Sequence, residues 1–183
     1  MNSYSCWLSV FFLLSSYVAG DEQGQVSARN FLRINEEFCT AGQPSLQDLE
    51  RLKAQGVIGI INLRRPEENA AEQAEEKQKA QELGLKYFSI PVDGANPLPE
   101  QAEEFLEIVS EKENRPLFIH CLSANRVGAF WFIYRVLHDG WDCAKAEQEA
   151  REVGLSRPNL VEFARKYVQE KKPQACAAGL QDD

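Results

Sequence analysis

The sequence predicts an α/β protein, a three-layer sandwich with a central, mainly parallel sheet flanked by helices. Short apolar runs that suit buried strands alternate along the chain with longer segments that suit helices. The runs at 57–63 and 117–120 are apolar almost throughout, which is typical of parallel strands buried on both faces. Such sheets bind ligands beyond the C-terminal ends of their strands, so the functional residues are expected there.

Caps and apolar spacing define the elements of the N-terminal half. Ser45 and Asp48 form a capping-box pattern at the start of a helix, and Gly56 ends that helix. A later helix is rich in Glu, Gln, Lys and Ala, which indicates a solvated face. The predicted elements are a short strand or hairpin within 31–44, a helix between Ser45 and Gly56, a strand at 57–63, a helix to about Leu83 and a strand at 87–92.

The C-terminal half continues the alternation of strands and helices. Pro99 opens a helix, because proline suits the first helical turn, and Phe105, Ile108 and Val109 mark its inward face. The predicted elements are this helix, a strand at 117–120, an apolar helix at about 127–137 and amphipathic helices near 143–153 and 158–171.

Length and composition predict one domain preceded by an export signal. The chain has 183 residues, 44% of them hydrophobic, which is ordinary for one globular domain. An apolar run at 6–14 is followed by the small residues Val18-Ala19-Gly20, which predicts a signal peptide over 1–20 and a secreted or periplasmic protein. The n-region has no Lys or Arg, so an uncleaved anchor is the alternative. We expect the folded domain over 21–172 and a disordered tail over 173–183.

Charge and cysteine content limit the partners. The net charge of −8 argues against nucleic acid or an anionic membrane surface, so an anionic substrate must meet local positive groups. We expect no metal and no other cofactor, since the two histidines show no ligand spacing. Signal cleavage would leave four cysteines in an oxidising compartment, with three possible pairings. We expect at most one disulfide, among Cys39, Cys143 and Cys176, with Cys121 reduced.

The segment 116–128 reads as a buried strand, a short polar loop and the start of a helix. A helix N-terminus presents unpaired N–H groups and the positive end of the helix dipole, which together stabilise an oxyanion. Cys121 opens the loop and Arg126 closes it, so the guanidinium can hold two phosphate oxygens while the same field favours a reactive thiolate. We predict Cys121 as nucleophile and Arg126 as anion clamp; a buried, inert Cys121 is the alternative. The predicted substrate contacts around them are His120, Leu122, Ser123, Ala124 and Asn125.

A phosphate ester under attack loses an alkoxide or phenolate, which requires a proton in the transition state. Asp93 follows a predicted strand and opens a Gly-Ala-Asn-Pro loop, so we predict it as the general acid. An Asx turn with Gly94 is the alternative role. Arg64 and Arg65 end another strand and are predicted either to contact substrate at the same mouth or to pair with nearby glutamates.

These motifs resemble a known group of enzymes. His120-Cys121 followed by Arg126, with Ile90-Pro91-Val92-Asp93 upstream, resembles the cysteine-dependent protein tyrosine and dual-specificity phosphatases. More narrowly, three segments are similar to the phosphatase-like domain of the beta-lactamase hydrolase-like proteins, and the similarity covers about 30–165. The three segments are Thr40-Ala41-Gly42-Gln43-Pro44-Ser45, Ile61-Asn62-Leu63-Arg64 with Glu67-Glu68, and Cys121-Leu122-Ser123-Ala124-Asn125-Arg126.

The resemblance implies a phosphatase-like fold and a phosphoric monoester hydrolase that forms a cysteinyl-phosphate. It places the nucleophile at Cys121, the phosphate-binding arginine at Arg126 and the general acid at Asp93. The implied substrate is a phosphorylated protein, such as one carrying phosphotyrosine, or a small phosphate ester.

The loop departs from the common phosphatase signature in three ways. Only four residues separate Cys121 from Arg126, Ala124 stands where the signature has glycine, and Val127 stands where a hydroxyl residue is common. Alanine at a positive φ would add strain of about 1 kcal/mol. The shorter loop is similar to that of rhodanese-type sulfurtransferases, which carry a persulfide. A sulfurtransferase and a non-enzymatic module that binds a phosphorylated or sulfated ligand are therefore the alternatives to a phosphatase.

Overall fold

The computed structural model describes residues 24–179 and has a five-stranded sheet between two layers of helices. Its strands are β1 (Leu32–Arg33), β2 (Phe38–Ala41), β3 (Gly59–Asn62), β4 (Lys86–Ser89) and β5 (Leu117–His120). The order across the sheet is β1-β2-β5-β3-β4. Only the β1–β2 pair is antiparallel within the described sheet. The predicted α/β fold with a central, mainly parallel sheet is confirmed.

Six α-helices of the described chain surround this sheet. They are α1 (Leu46–Ala54), α2 (Ala70–Glu82), α3 (Pro99–Ser110), α4 (Asn125–Leu137), α5 (Cys143–Val153) and α6 (Pro158–Lys171), with short 3-10 helices at Pro66–Glu68, Lys112–Asn114 and Pro173–Gly179. The predicted capping box of α1 is formed, because the Ser45 hydroxyl accepts from the Asp48 N–H at 3.1 Å and the Asp48 carboxylate accepts from the Ser45 N–H at 3.0 Å.

The strand residues alternate between two apolar layers. Leu117, Ile119 and Cys121 contact the larger layer, which includes side chains of α3 to α6. Phe118 faces the smaller layer beneath α1 and α2. The central strand β5 is buried on both sides, so the residues that follow it emerge at the middle of the sheet edge.

Strand β4 ends earlier than predicted, at Ser89, although the chain beyond it still follows β3. The N–H of Ile90 donates to the Asn62 carbonyl at 2.9 Å, and the N–H of Val92 donates to the Leu63 carbonyl at 3.4 Å. These bonds extend the pairing with β3 and place Asp93 at the same edge of the sheet as the end of β5.

The C-terminal segment differs from the disordered tail predicted over 173–183. Pro173–Gly179 forms a 3-10 helix, and a disulfide joins Cys176 to Cys143 at the start of α5. The disulfide fixes this segment against α5, and the composition of the segment does not predict such a bond. Cys39 and Cys121 are free thiols, as expected for Cys121. The predicted signal peptide and residues 180–183 lie outside the described residues. Between residues 24 and 179, no helix is both long enough and apolar enough to cross a bilayer.

Candidate active site

Cys121 lies directly after β5, at the carboxyl end of the central strand. Its side chain is almost completely buried, with 1% exposure, and contributes to the wall of a cleft of about 280 Å³. Four parts of the chain form this cleft: the segment after β3, the loop after β4, the Cys121–Arg126 loop and the start of α6. Leu122, one of the predicted substrate contacts, lines this cleft and is 54% exposed.

The loop between Cys121 and Arg126 turns through a left-handed residue. Ala124, the N-cap of α4, has φ 64° and ψ 0°, which confirms the positive φ considered for the glycine position. Ala124 is fully buried and is not among the residues that line the cleft, where it was predicted to contact substrate. The turn leads directly into the first residues of α4, Asn125 and Arg126, which line the cleft, so a helix N-terminus lies beside it as in an anion site.

The segment 40–45, which resembles a family motif, contacts the backbone of the Cys121–Arg126 loop. A side chain at Gly42 would come within 2.9 Å of the Leu122 carbonyl oxygen, so only glycine allows the approach. The Gln43 N–H donates to the same carbonyl at 3.3 Å, and the Asn30 side-chain amide donates to the Ser123 carbonyl at 3.2 Å. These contacts hold the loop in its turned conformation.

The Arg126 guanidinium is held by a carboxylate from a distant part of the chain. Nη1 and Nη2 donate to the two Glu68 oxygens at 2.5 and 2.9 Å, and Nη1 also donates to the Val92 carbonyl at 2.9 Å. A guanidinium has five N–H groups. These bonds use three, which leaves Nε and one Nη2 hydrogen on the side that can grip two oxygens of an anion.

The Arg126–Glu68 pair remains ionised in this partly buried place. Burial alone would raise the pKa of Glu68. The Arg126 guanidinium nevertheless lowers this pKa to about 2. Burial opposes the charge of Arg126, yet Glu68 and the adjacent Cys121 thiol raise the pKa of Arg126 above its ordinary value. The positive group therefore stays in place beside the cysteine.

Asp93 lines the same cleft and forms the Asx turn that was its alternative role, while its role as general acid stays a prediction. Its Oδ1 accepts from the Ala95 N–H at 2.9 Å, which forms the Asx turn. Its Oδ2 lies 3.3 Å from Arg65 Nη1, with both side chains about two-fifths exposed. The structure therefore brings Asp93, Cys121 and Arg126 together around one cavity.

His120 does not reach the cleft, in contrast to its predicted contact with substrate. Successive strand residues face opposite sides of a sheet, so His120 points away from the cleft that Cys121 lines. Its ring is fully buried, stacks on Phe118, and places Nε2 2.8 Å from Glu76 Oε1. Glu76 also accepts from the Tyr87 hydroxyl at 2.9 Å.

Arg64 is also not at the mouth of the cleft, where it was predicted to contact substrate. It is 2% exposed, and its Nη1 donates to Gln43 Oε1 and Glu72 Oε2, both at 2.5 Å. Acidic side chains of the turn and helix that follow β3 attract this guanidinium inward. Its neighbour Arg65, in contrast, lines the cleft.

Two functional candidates were not identified from the sequence. Glu68 was named as a partner of Arg64 or Arg65 and within a segment similar to the family, yet its contact with Arg126, 58 residues away in sequence, was not predicted. Arg157, just before α6, also lines the cleft. Local sequence did not indicate either position at the cleft, because both depend on tertiary packing. Within residues 24–179, no group of three or more His, Cys, Asp or Glu side chains is arranged to hold a metal ion.

A cysteine at the end of the central parallel strand, followed by an arginine in the first turn of the next helix, defines the class of cysteine-dependent phosphatases. The chain belongs to the family described as "DSP-PTPase phosphatase fused to NAD+ Kinase", whose model matches residues 19–166.

Individual relatives agree with this assignment. The chain is 36% identical over 97 residues to the beta-lactamase hydrolase-like protein of Agrobacterium fabrum (strain C58 / ATCC 33970). That match covers 52% of this chain and 22% of the relative, so the chain spans about a fifth of that protein's length.

Solved structures show the same fold at lower identity. A DUF442 protein of Shewanella putrefaciens CN-32 superposes with a TM-score of 0.66 at 22% identity, covering 80% of this chain and 91% of that one. The core catalytic domain of the PP-IP phosphatase SIW14 from S. cerevisiae has a TM-score of 0.65 at 20% identity, covering 83% and 93%.

Proposed function

We propose that this domain hydrolyses phosphate monoesters through a cysteinyl-phosphate on Cys121. The observation that carries the proposal is the meeting of Cys121 with the free side of the Arg126 guanidinium at the N-terminus of α4. That arrangement offers a nucleophile and a fixed clamp for the phosphoryl oxygens in one small cleft. Membership in a phosphatase family supports the same reaction class.

The first step transfers the phosphoryl group to the enzyme. The Cys121 sulfur attacks phosphorus, and the S–P bond forms as the bond from phosphorus to the ester oxygen breaks. Arg126 and the loop N–H groups hold the non-bridging oxygens. Asp93 donates its proton to the leaving oxygen. Because its carboxylate pairs with Arg65 at 3.3 Å, Asp93 must turn from Arg65 toward the cleft for this transfer.

The second step returns the enzyme to its starting state. A water molecule attacks phosphorus, Asp93 accepts the proton of that water, and the S–P bond breaks to release phosphate and the Cys121 thiolate. The absence of a hydroxyl at Val127 leaves this step without one source of assistance. The candidate substrates are a phosphorylated protein, including one with phosphotyrosine, and a small phosphate ester.

We also propose that the protein acts outside the cytoplasm, as a secreted or periplasmic enzyme. The disulfide between Cys143 and Cys176 supports this location, since such bonds persist mainly in oxidising compartments.

Hydrolysis of p-nitrophenyl phosphate tests the reaction. Changing Cys121→Ser should lower kcat by at least about 1,000-fold, because the attacking thiolate is lost. Cys39→Ser is the matched control, since Cys39 is also a free and buried thiol but is not part of the cleft.

Equal rates for the unaltered protein and Cys121→Ser would refute the proposal.

The short loop also favours a second candidate, a sulfurtransferase. Transfer of sulfur from thiosulfate to cyanide that depends on Cys121, without hydrolysis of the phosphate ester, would identify that activity instead.

A further inference from the structure

A second and larger cavity adjoins the cleft. It has a volume of about 550 Å³ and lies along α6 and the end of α5. We refer to it as the α5–α6 groove. Ser156 and Pro158 line this groove, whereas the residue between them, Arg157, lines the cleft. The two cavities therefore meet at one short segment of the chain.

This shared segment is tied to the anion loop. The Asn125 side-chain oxygen accepts from the N–H groups of Ser156 and Arg157, both at 2.9 Å. The Asn125 amide nitrogen donates to the Ser156 hydroxyl at 2.8 Å. Because Asn125 also belongs to the Cys121–Arg126 loop, these bonds hold the groove at a constant position relative to a phosphoryl group in the cleft.

The cations of the cleft differ in whether a carboxylate neutralises them. Arg126 is paired with Glu68, and Arg65 is paired with Asp93. Arg157 has no acidic side chain within 4.0 Å among residues 24–179. It is therefore the cleft arginine whose charge is available to an additional anionic group.

The groove continues this positive surface. Arg151 and Arg165 share one carboxylate, that of Glu147, and their side chains are 54% and 60% exposed. Lys166 has no ion-pair partner in the described part of the chain, and Glu162 is the acidic residue of the lining. Cations thus exceed carboxylates in the groove, on a chain whose net charge is −8.

We propose that Arg157 and the α5–α6 groove form a second anion-binding subsite that selects phosphate esters carrying a further anionic group. The inference rests on the proposed function. While the cleft holds the phosphoryl group to be transferred, the second group, a phosphate or carboxylate, contacts Arg157 and Lys166. An acidic phosphopeptide and a small bisphosphate share this chemistry, and the ligands of the test distinguish them.

The test measures binding to the Cys121→Ser protein by calorimetry, so that turnover is not required. One pair of ligands is a phosphotyrosine peptide with flanking glutamates and its counterpart with glutamines. The other pair is fructose 1,6-bisphosphate and fructose 6-phosphate. We expect the more anionic member of at least one pair to bind about tenfold more tightly at low salt, and the advantage to shrink as salt screens the charges.

Added substitutions locate the effect. Arg157→Gln and Lys166→Gln should each reduce the advantage by at least threefold, whereas Lys77→Gln, which removes the same charge from exposed α2, should leave it unchanged. Preference within the peptide pair identifies a protein substrate, and preference within the sugar pair identifies a small molecule.

Equal affinities within both pairs would overturn the inference, as would an advantage that survives both Arg157→Gln and Lys166→Gln. Hydrolysis of p-nitrophenyl phosphate by the unaltered protein tests the proposed function separately. A failure of catalysis is therefore distinguishable from a failure of the second subsite.

Discussion

The two sides of the sheet at the end of β5 contain ionic groups of similar kind but use them differently. On one side, Cys121 lines an open cleft in which Arg126 has two N–H groups beyond the three that bond Glu68 and Val92. On the other side, His120 and Glu76 are closed in beneath α2, and Glu76 is bonded on both oxygens.

The comparison shows that two adjacent residues have different surroundings: His120 lies in a closed network and Cys121 lines an open cleft. Strand alternation directs Cys121 and His120 to opposite faces. On the buried face, Glu76 accepts from Gln43 and Tyr87 and lies 2.8 Å from His120, and the low dielectric makes these contacts costly to break. The open face leaves donors for a ligand. We therefore expect substitutions in the cleft to reduce catalysis, and substitutions in the buried network to reduce stability.

The largest expected effect lies in the cleft, at Asp93. Asp93→Asn keeps the acceptor of the Asx turn but removes the acid, so kcat for phenyl phosphate should fall by about 10²- to 10⁴-fold. The loss should be smaller for p-nitrophenyl phosphate, whose leaving group needs less protonation. Arg65→Gln is the control, because it removes the ion-pair partner and leaves the acid in place. An equal loss with both substrates would argue against general acid catalysis.

The second prediction concerns the buried contacts of Glu76 and His120. Burial would raise the pKa of Glu76, but the His120 ring holds it below its ordinary value. Glu76→Gln removes that charge and should lower the free energy of unfolding by about 2–4 kcal/mol in urea titrations. Tyr87→Phe removes one donor to Glu76 and should cost about 1 kcal/mol. If Glu76→Gln retained full stability but lost kcat, the proposed division between the two sides would be wrong.

Acid titration of stability tests the Arg126–Glu68 pair. The pKa of Glu68 falls from 4.5 to about 2 in the folded state, so its stabilising contribution is complete above pH 4.5 and is lost as pH falls through about 2. In urea titrations across this range, Glu68→Gln should lose less stability than the unaltered protein. Parallel losses would mean that Glu68 is not the group that titrates.

The smallest expected effect concerns the strained turn of the anion loop. Glycine adopts the φ of 64° at Ala124 without the steric cost that alanine bears. Ala124→Gly should therefore raise the free energy of unfolding by about 1 kcal/mol, measured by thermal or urea unfolding. A fall in stability would show that packing of the Ala124 methyl group against Gly154 outweighs the strain.

Local patterns in the sequence were sufficient to predict the helices and strands and part of the candidate active site. The capping box of α1 and the apolar runs of β3 and β5 formed as predicted, since each depends on neighbours in sequence. Cys121, Arg126 and Asp93 meet around one cavity, and their catalytic roles remain predictions. The placement of Arg64 at the cleft mouth was incorrect, because burial against Gln43 and Glu72 depends on how helices pack.

By itself, the sequence determined the α/β alternation and the Cys121–Arg126 loop at the end of a strand, because these follow from short-range periodicity and the order of residue types. Only the tertiary structure decided which carboxylate grips Arg126, which side His120 faces and how Arg157 joins the cleft. The physical reason is that these contacts join distant segments, and the position of β5 between β2 and β3 brings those segments together.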